Sequence, residues 1–264
     1  MDKRPIGIYD SGMGGLTSLK TLRRLLPEED IVFFADTGRL PYGPRPGEEL
    51  CRFARQDMDF LARYDVKVIL AACGTISSAA AAELKRYPVP AFGIVQPALD
   101  TMAALPGSGP LGVIATDASI RSGAFTDALQ TRCPDREVVG LACPAFAPTV
   151  EQGHIRPDDP VLRAVVAEAL APLRDRGLAA LLLACTHYGI IAEAIAQVLP
   201  GVPLYSAADC GALAVRDYLA ANGLLGSGGG KTEFYISCPT AAFDAFASAY
   251  LEQDVRAVQV PVLE

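Results

Sequence analysis

The sequence predicts an α/β fold of two similar lobes with mainly parallel sheets and a site at the interlobe cleft. Three observations predict it. Short apolar, β-branched runs alternate with longer helical stretches almost from end to end, the pattern of parallel strands covered by helices on both faces. Two strand-end motifs occur twice at nearly constant separation: IGIYDSG (6–12) is echoed by LGVIATD (111–117), and ILAACGT (69–75) by LLLACTH (181–187). Pro-rich stretches at 95–110 and 199–208 suit crossings between lobes. The expected lobes are residues 1–97 with 208–264, carrying Cys73, and residues 98–207, carrying Cys185.

Strands are expected at 5–9, 31–35, 66–71, 90–94, 111–115, 137–141, 178–183 and 202–205, each a short apolar run bounded by polar or turn residues. A helix is expected over 47–64, where Leu50, Phe53, Ala54, Met58, Leu61 and Ala62 recur at three- and four-residue spacing. Gly226–Gly230 (GSGGG) reads as a flexible surface connection before a last strand–helix–strand, EFYIS to VRAVQV. In such folds, sites gather where strands end at their carboxyl termini.

Composition excludes several function classes. With 264 residues, 51% of them hydrophobic, the chain can bury a core and is not disordered. No apolar run approaches the about 20 residues that span a bilayer, and Met-Asp-Lys-Arg-Pro leads straight into a strand without a signal-peptide apolar region. A cytoplasmic location is expected. Seven cysteines, irregularly spaced and without CxxC, make neither a disulfide framework nor a zinc site. Only two histidines, His154 and His187, are present, so no metal is expected. A net charge of −7 disfavours nucleic acid and anionic membranes as partners. None of the lysines (Lys3, Lys20, Lys67, Lys85, Lys231) lies at a repeated strand end, which disfavours a Schiff-base cofactor. DSGMGG misses the GxGxxG register of a dinucleotide loop.

The repeated strand ends carry the chemistry. Cys73 and Cys185 each follow an apolar run and precede a helix, where free N–H groups and the dipole are expected to lower a thiol pKa from about 8.5. One such cysteine is commonly a small buried hydrophobe. A matched pair, one per lobe, suggests inversion of a stereocentre instead. One sulfur removes a proton from a carbon and the other delivers a proton to the opposite face. Each then sits about 3–3.5 Å from that carbon, and the sulfurs stand too far apart for an S–S bond of about 2.05 Å. A redox pair would require that bond; thiol titration with and without reductant separates the two.

DSGMGGLT (10–17), ADTGRLPYG (35–43), AACGT (71–75), LACP (141–144), VEQG (150–153) and LACTHYG (183–189), in this order and spacing, resemble the glutamate racemases of the aspartate/glutamate racemase superfamily. The similarity covers essentially the whole chain. It implies cofactor-independent racemisation of L- and D-glutamate, supplying D-glutamate to peptidoglycan, by a homodimer. It further implies that Cys73 handles the α-proton of the D-enantiomer and Cys185 that of the L-enantiomer. Asp10 matches an acid beside the first thiol, His187 the acid/base beside the second, and Glu151 a further acid near it. Ser11, Pro41, Tyr42, Gly43, Gly74, Thr75, Thr116, Ser119 and Thr186 match positions that hold the substrate, together with Asp10 and His187. Each type also has a plainly structural use. Asp10 can cap the helix after Ser11-Gly12, His187 can be a surface residue at a helix start, Glu151 can be exposed at a turn, and Tyr42 can pack in one.

The chain departs from the family pattern in several places. Gly74 stands where the family has Asn, and Gln96 where an acidic residue precedes Pro97. Ser119 replaces Thr, and Ala184 and Gly189 flank the second motif in place of Gly and Pro. Losing an Asn hydrogen bond to a charged substrate costs roughly 1.5–3 kcal/mol, unless a water takes its place. Three readings stay open: a weaker glutamate racemase, a racemase of aspartate or another small amino acid, and a catalytically weak ligand- or protein-binding relative. Retention of both thiols, Asp10 and His187 argues against a pure binder.

Overall fold

The computed structural model describes residues 2–239 and 242–261. Among the described residues ten strands occur in chain order: β1 (Ile6–Asp10), β2 (Ile31–Ala35), β3 (Val68–Ala71), β4 (Ala91–Gly93), β5 (Leu111–Ala115), β6 (Val138–Ala142), β7 (Ala180–Leu183), β8 (Leu204–Ser206), β9 (Thr232–Ile236) and β10 (Val258–Gln259). Every strand pair is parallel. The chain divides into two compact units, Met1–Ile94 with Gly211–Glu264 and Val95–Cys210. Among the described residues no helix is long and apolar enough to cross a membrane.

The first unit holds a six-stranded sheet in the order β10-β9-β2-β1-β3-β4. Its central strands are buried along their whole length, which explains their near-continuous Ile, Val, Leu and Phe. The helix Gly47–Ala62 presents Leu50, Phe53, Ala54, Met58 and Leu61 to this core. The second unit holds a four-stranded sheet in the order β6-β5-β7-β8. That is the order β2-β1-β3-β4 of the first sheet, so the sequence echoes correspond to duplicated topology. In each sheet the strand order reverses direction between the first and third strands of the repeat. Ligands of open α/β sheets bind at such a switch point, beyond the carboxyl ends of the strands.

Two local features differ from the sequence reading. The helix after each cysteine is short and restarts: Gly74–Ala79 breaks at Ala80, and Thr186–Ile190 at Ile191. The run Gly226–Gly230, read as flexible, is pinned. The N–H groups of Gly228, Gly229 and Gly230 all approach the Glu28 carbonyl, at 2.8, 3.1 and 3.2 Å, and that of Gly226 donates to Glu29 Oε1 at 2.7 Å. A Cβ on Gly226 would stand 2.0 Å from the Asp2 carbonyl oxygen. Glycine here permits close backbone approach rather than mobility.

Candidate active site

In the first unit the site grows from the ends of β1 and β3. The ladder continues one residue past β3, with the Ala72 N–H donating to the Tyr9 carbonyl at 2.8 Å. Cys73 is therefore the first residue beyond the sheet, extended at φ −82° and ψ 124°, and it caps Gly74–Ala79. Its thiol donates to the Ser11 hydroxyl at 3.7 Å. Asp10, buried at the end of β1, accepts the Gly15 N–H at 2.5 Å just ahead of the helix Leu16–Leu25. A Cβ on Gly15 would come within 2.6 Å of the Asp10 Cβ, so the glycine is what lets the loop close on the carboxylate. Asp10 thus serves the helix start and stands among the groups that act on Cys73.

The balance at Cys73 differs in sign from the sequence expectation. Burial, followed by the Asp10 charge, pushes the thiol up to about 12, against the lowering effects of the Ile76 and Thr75 N–H groups and the Ser11 hydroxyl. The helix end does act, but desolvation outweighs it. Gly74 is buried and Thr75 half-buried beside it. Pro41 is exposed, Gly43 half-buried and Tyr42 buried, following the cis Leu40–Pro41 peptide. The Tyr42 hydroxyl is turned into the protein: it donates to Asp36 and lies 3.1 Å from Asp57 Oδ2.

In the second unit the arrangement recurs at the ends of β5 and β7. The Ala184 N–H donates to the Ile114 carbonyl at 2.9 Å, leaving Cys185 as the first residue beyond the sheet and the cap of Thr186–Ile190. Its surroundings differ from those of Cys73. His187 Nδ1 lies 3.8 Å from Cys185 Sγ, and His187 Nε2 lies 3.1 Å from Glu151 Oε1 at the end of the helix Phe146–Glu151. The hydrogen bond with His187 holds the Glu151 carboxyl below its ordinary range. An imidazole anchored through Nε2 keeps Nδ1 directed at the sulfur. Thr186 is buried next to it. Tyr188 donates to the Cys143 carbonyl at 2.8 Å, tying the LACP segment to the same helix. At β5, Thr116 caps Asp117–Arg121 by accepting the Ser119 N–H, and its hydroxyl donates to Ser119 Oγ at 3.0 Å. Gln96 Oε1 accepts from Arg132 at 2.6 Å.

Cys73, Ser11, Asp10, Gly74 and Thr75 therefore gather at one switch point, and Cys185, Thr186, His187 and Glu151 at the other. Sequence reasoning missed Asp36, Arg39 and Asp57, which hold Tyr42. The available signal was Asp57 itself, a carboxylate on the apolar stripe of Gly47–Ala62, where charges are rare unless paired.

A family model described as Asp/Glu/Hydantoin racemase matches residues 35–215. The glutamate racemase of Thermus thermophilus is 42% identical over 264 residues, covering 99% of this chain and 98% of that protein. That of Streptococcus equi subsp. equi is 38% identical over 263 residues, covering 97% of each. The crystal structure of glutamate racemase from Francisella tularensis in complex with D-glutamate has a TM-score of 0.87 at 32% identity, covering 99% of both chains. An aspartate racemase of Picrophilus torridus, at TM-score 0.61 and 18% identity, shares the fold alone.

Proposed function

The chain belongs to the glutamate racemase family of the Asp/Glu/hydantoin racemases, and we propose that it interconverts L- and D-glutamate with Cys73 and Cys185 as the two bases. From L-glutamate, Cys185 takes the α-proton: the Cα–H bond breaks and an S–H bond forms. Cys73 gives its proton to the opposite face, where a new Cα–H bond forms. The reverse direction exchanges the roles. No electrons leave the substrate, so the step balances without oxidant or cofactor. His187, oriented by Glu151, takes the proton of Cys185, and Asp10 that of Cys73. Ser11, the Pro41–Tyr42–Gly43 segment, Gly74, Thr75, Thr116, Ser119 and Thr186 hold the carboxylates and ammonium. Their donors stabilise the charge that builds as Cα–H ionises.

The observation that carries this reading is the matched placement of two thiols outside any disulfide, each at the switch point of a duplicated sheet, Cys73 within the field of the Asp10 carboxylate and Cys185 beside the His187 imidazole. On family grounds the product D-glutamate supplies peptidoglycan and the assembly is a homodimer. Gly74, in place of the family Asn, favours a second reading in which a related small amino acid is the better substrate. The test is circular dichroism of purified protein with each enantiomer. Cys73→Ala and Cys185→Ala are each expected to cut racemisation by about 10²–10⁴-fold, the usual weight of a positioned base. Either alanine variant racemising at the wild-type rate sinks the assignment.

A further inference from the structure

A second buried polar cluster, apart from the thiols, lies between the end of β2 and the helix Gly47–Ala62. Asp36, Arg39, Tyr42 and Asp57 are all buried. Arg39 donates from Nε to Asp36 Oδ2, from Nη2 to Asp57 Oδ1 at 2.6 Å, and from Nη1 to Gln56 Oε1 at 2.6 Å. Its guanidinium also lies over the Phe53 ring, 4.0 Å from the centroid. The Tyr42 hydroxyl closes the ring between the two carboxylates.

Hydrogens in this ring can be counted. A phenol has one hydrogen to donate, so it serves one of the two carboxylates at a time, and when given to Asp36 it is lost to Asp57. Asp57 Oδ2 then faces the phenol oxygen's lone pairs at 3.1 Å. That contact is attractive only when Asp57 carries a proton and donates it. Charge gives the same count. Two ionised carboxylates against one guanidinium leave a buried negative charge, which is costly in a low-dielectric interior; a single proton removes it.

We propose that this ring carries one extra proton, held on Asp57, and that the neutral ring positions the Pro41–Tyr42–Gly43 segment for the substrate, the second half resting on the racemase reading above. Burial, followed by the Asp36 charge, pushes the Asp57 carboxyl well above its ordinary range, against the lowering effect of Arg39 and Tyr42. The titratable groups facing it are Asp36, Arg39 and Tyr42, and from β1 Tyr9, whose phenol also feels Cys73, Asp10 and Tyr87. Of the other charged groups on the helix, Glu49 faces Arg45 and Arg52, Arg55 pairs with Glu83, and Asp59 accepts from the Tyr87 hydroxyl; Arg45 and Arg52 lie 6.0 and 5.7 Å from the Phe53 ring centroid, outside the ring of hydrogen bonds. Tyr42 is thereby a positioning residue, its hydroxyl committed to the ring.

The ring is tested with Asp57→Asn, whose amide oxygen accepts from Arg39 and whose NH₂ donates to Tyr42 as the protonated acid does. In wild type the folded carboxyl keeps a proton that the unfolded one releases above about pH 3.9. The wild type therefore loses stability relative to Asp57→Asn as pH rises. The ratio of their folding constants grows about tenfold per pH unit until the folded group ionises. Denaturation at pH 5, 6, 7 and 8 is expected to show that widening gap. A gap that does not change with pH, or a wild type that gains on the variant as pH rises, overturns the proton. For the positioning half, Tyr42→Phe is expected to raise KM for glutamate about tenfold with little change in kcat. Wild-type KM is expected to rise where the folded Asp57 carboxyl ionises and the ring loses its neutrality, and that rise is expected to be absent in Asp57→Asn. A Tyr42→Phe variant with wild-type KM overturns positioning. A wild type that racemises no glutamate overturns the racemase reading, while the denaturation series still decides the proton.

Discussion

At Cys73 two opposing physical effects meet. The residue sits where backbone N–H groups converge, yet its own desolvation and the neighbouring Asp10 leave it a thiol at neutral pH, pushed up to about 12. Its counterpart has the opposite kind of neighbour, an imidazole 3.8 Å from the sulfur and braced by a carboxylate. A resting enzyme with a protonated first thiol suits the uptake of L-glutamate, since Cys73 then arrives ready to donate. Next to it, Gly74 lies within the helix that Cys73 caps, outside the left-handed region, so its backbone accepts a side chain. Gly74→Asn is expected to raise kcat/KM on D-glutamate by about ten- to a hundredfold, the equivalent of one hydrogen bond to a charged group. Steady-state kinetics on both glutamate and aspartate checks it. No gain on glutamate means a pocket rebuilt for another amino acid.

At the scale of elements, the ion pair Lys67–Glu29 deserves a quantitative test. Lys67 Nζ reaches Glu29 Oε2 at 2.6 Å and the carbonyls of Asp2 and Leu224 at 3.0 and 2.9 Å. It joins the start of β3, the turn before β2 and the segment ahead of the glycine run, with both side chains buried. Lys67→Ala strands a buried carboxylate and is expected to cost about 3–5 kcal/mol in a urea titration. Replacing the pair by Lys67→Met with Glu29→Leu removes the stranded charge and is expected to recover only part of that loss, since the Gly226 N–H and the Asp2 and Leu224 carbonyls lose their partners. A single variant that loses under about 1 kcal/mol contradicts the reading. Neither partner was singled out from sequence, because nothing local tells that Lys67, next to Val68, points into a polar pocket fed by residues near 2, 29 and 224. The strands were legible: β2 and β5 fall on 31–35 and 111–115, because buried parallel strands write themselves as unbroken apolar runs. The break at Ala80 was not, since it lies in an Ala-rich stretch with no Gly or Pro beside it; at Ile191 the local signal is Gly189, two residues ahead. The glycine run was misread because composition signals conformational freedom and says nothing of the carbonyl that three N–H groups share.

At the scale of the whole molecule, the same strand order, 2-1-3-4 in each repeat's own sequence, appears in both units. The echo of ILAACGT in LLLACTH anticipates this directly and puts Cys73 and Cys185 at equivalent strand ends. Asp36, Arg39 and Tyr42 lie together within ADTGRLPYG, but their partner Asp57 stands 18 residues beyond Arg39 and reaches them only through tertiary packing, which no motif spells out. The proposed reaction makes its sharpest prediction about hydrogen. With separate bases, the proton removed and the proton delivered are different atoms. The protein is incubated with L-glutamate in D₂O, stopped after a small fraction of turnover, and the α-hydrogen content of both enantiomers is read by NMR after separation. Two bases predict deuterium at Cα of the D-glutamate formed while the remaining L-glutamate keeps its hydrogen. Deuterium entering the remaining L-glutamate as fast as the product would contradict them.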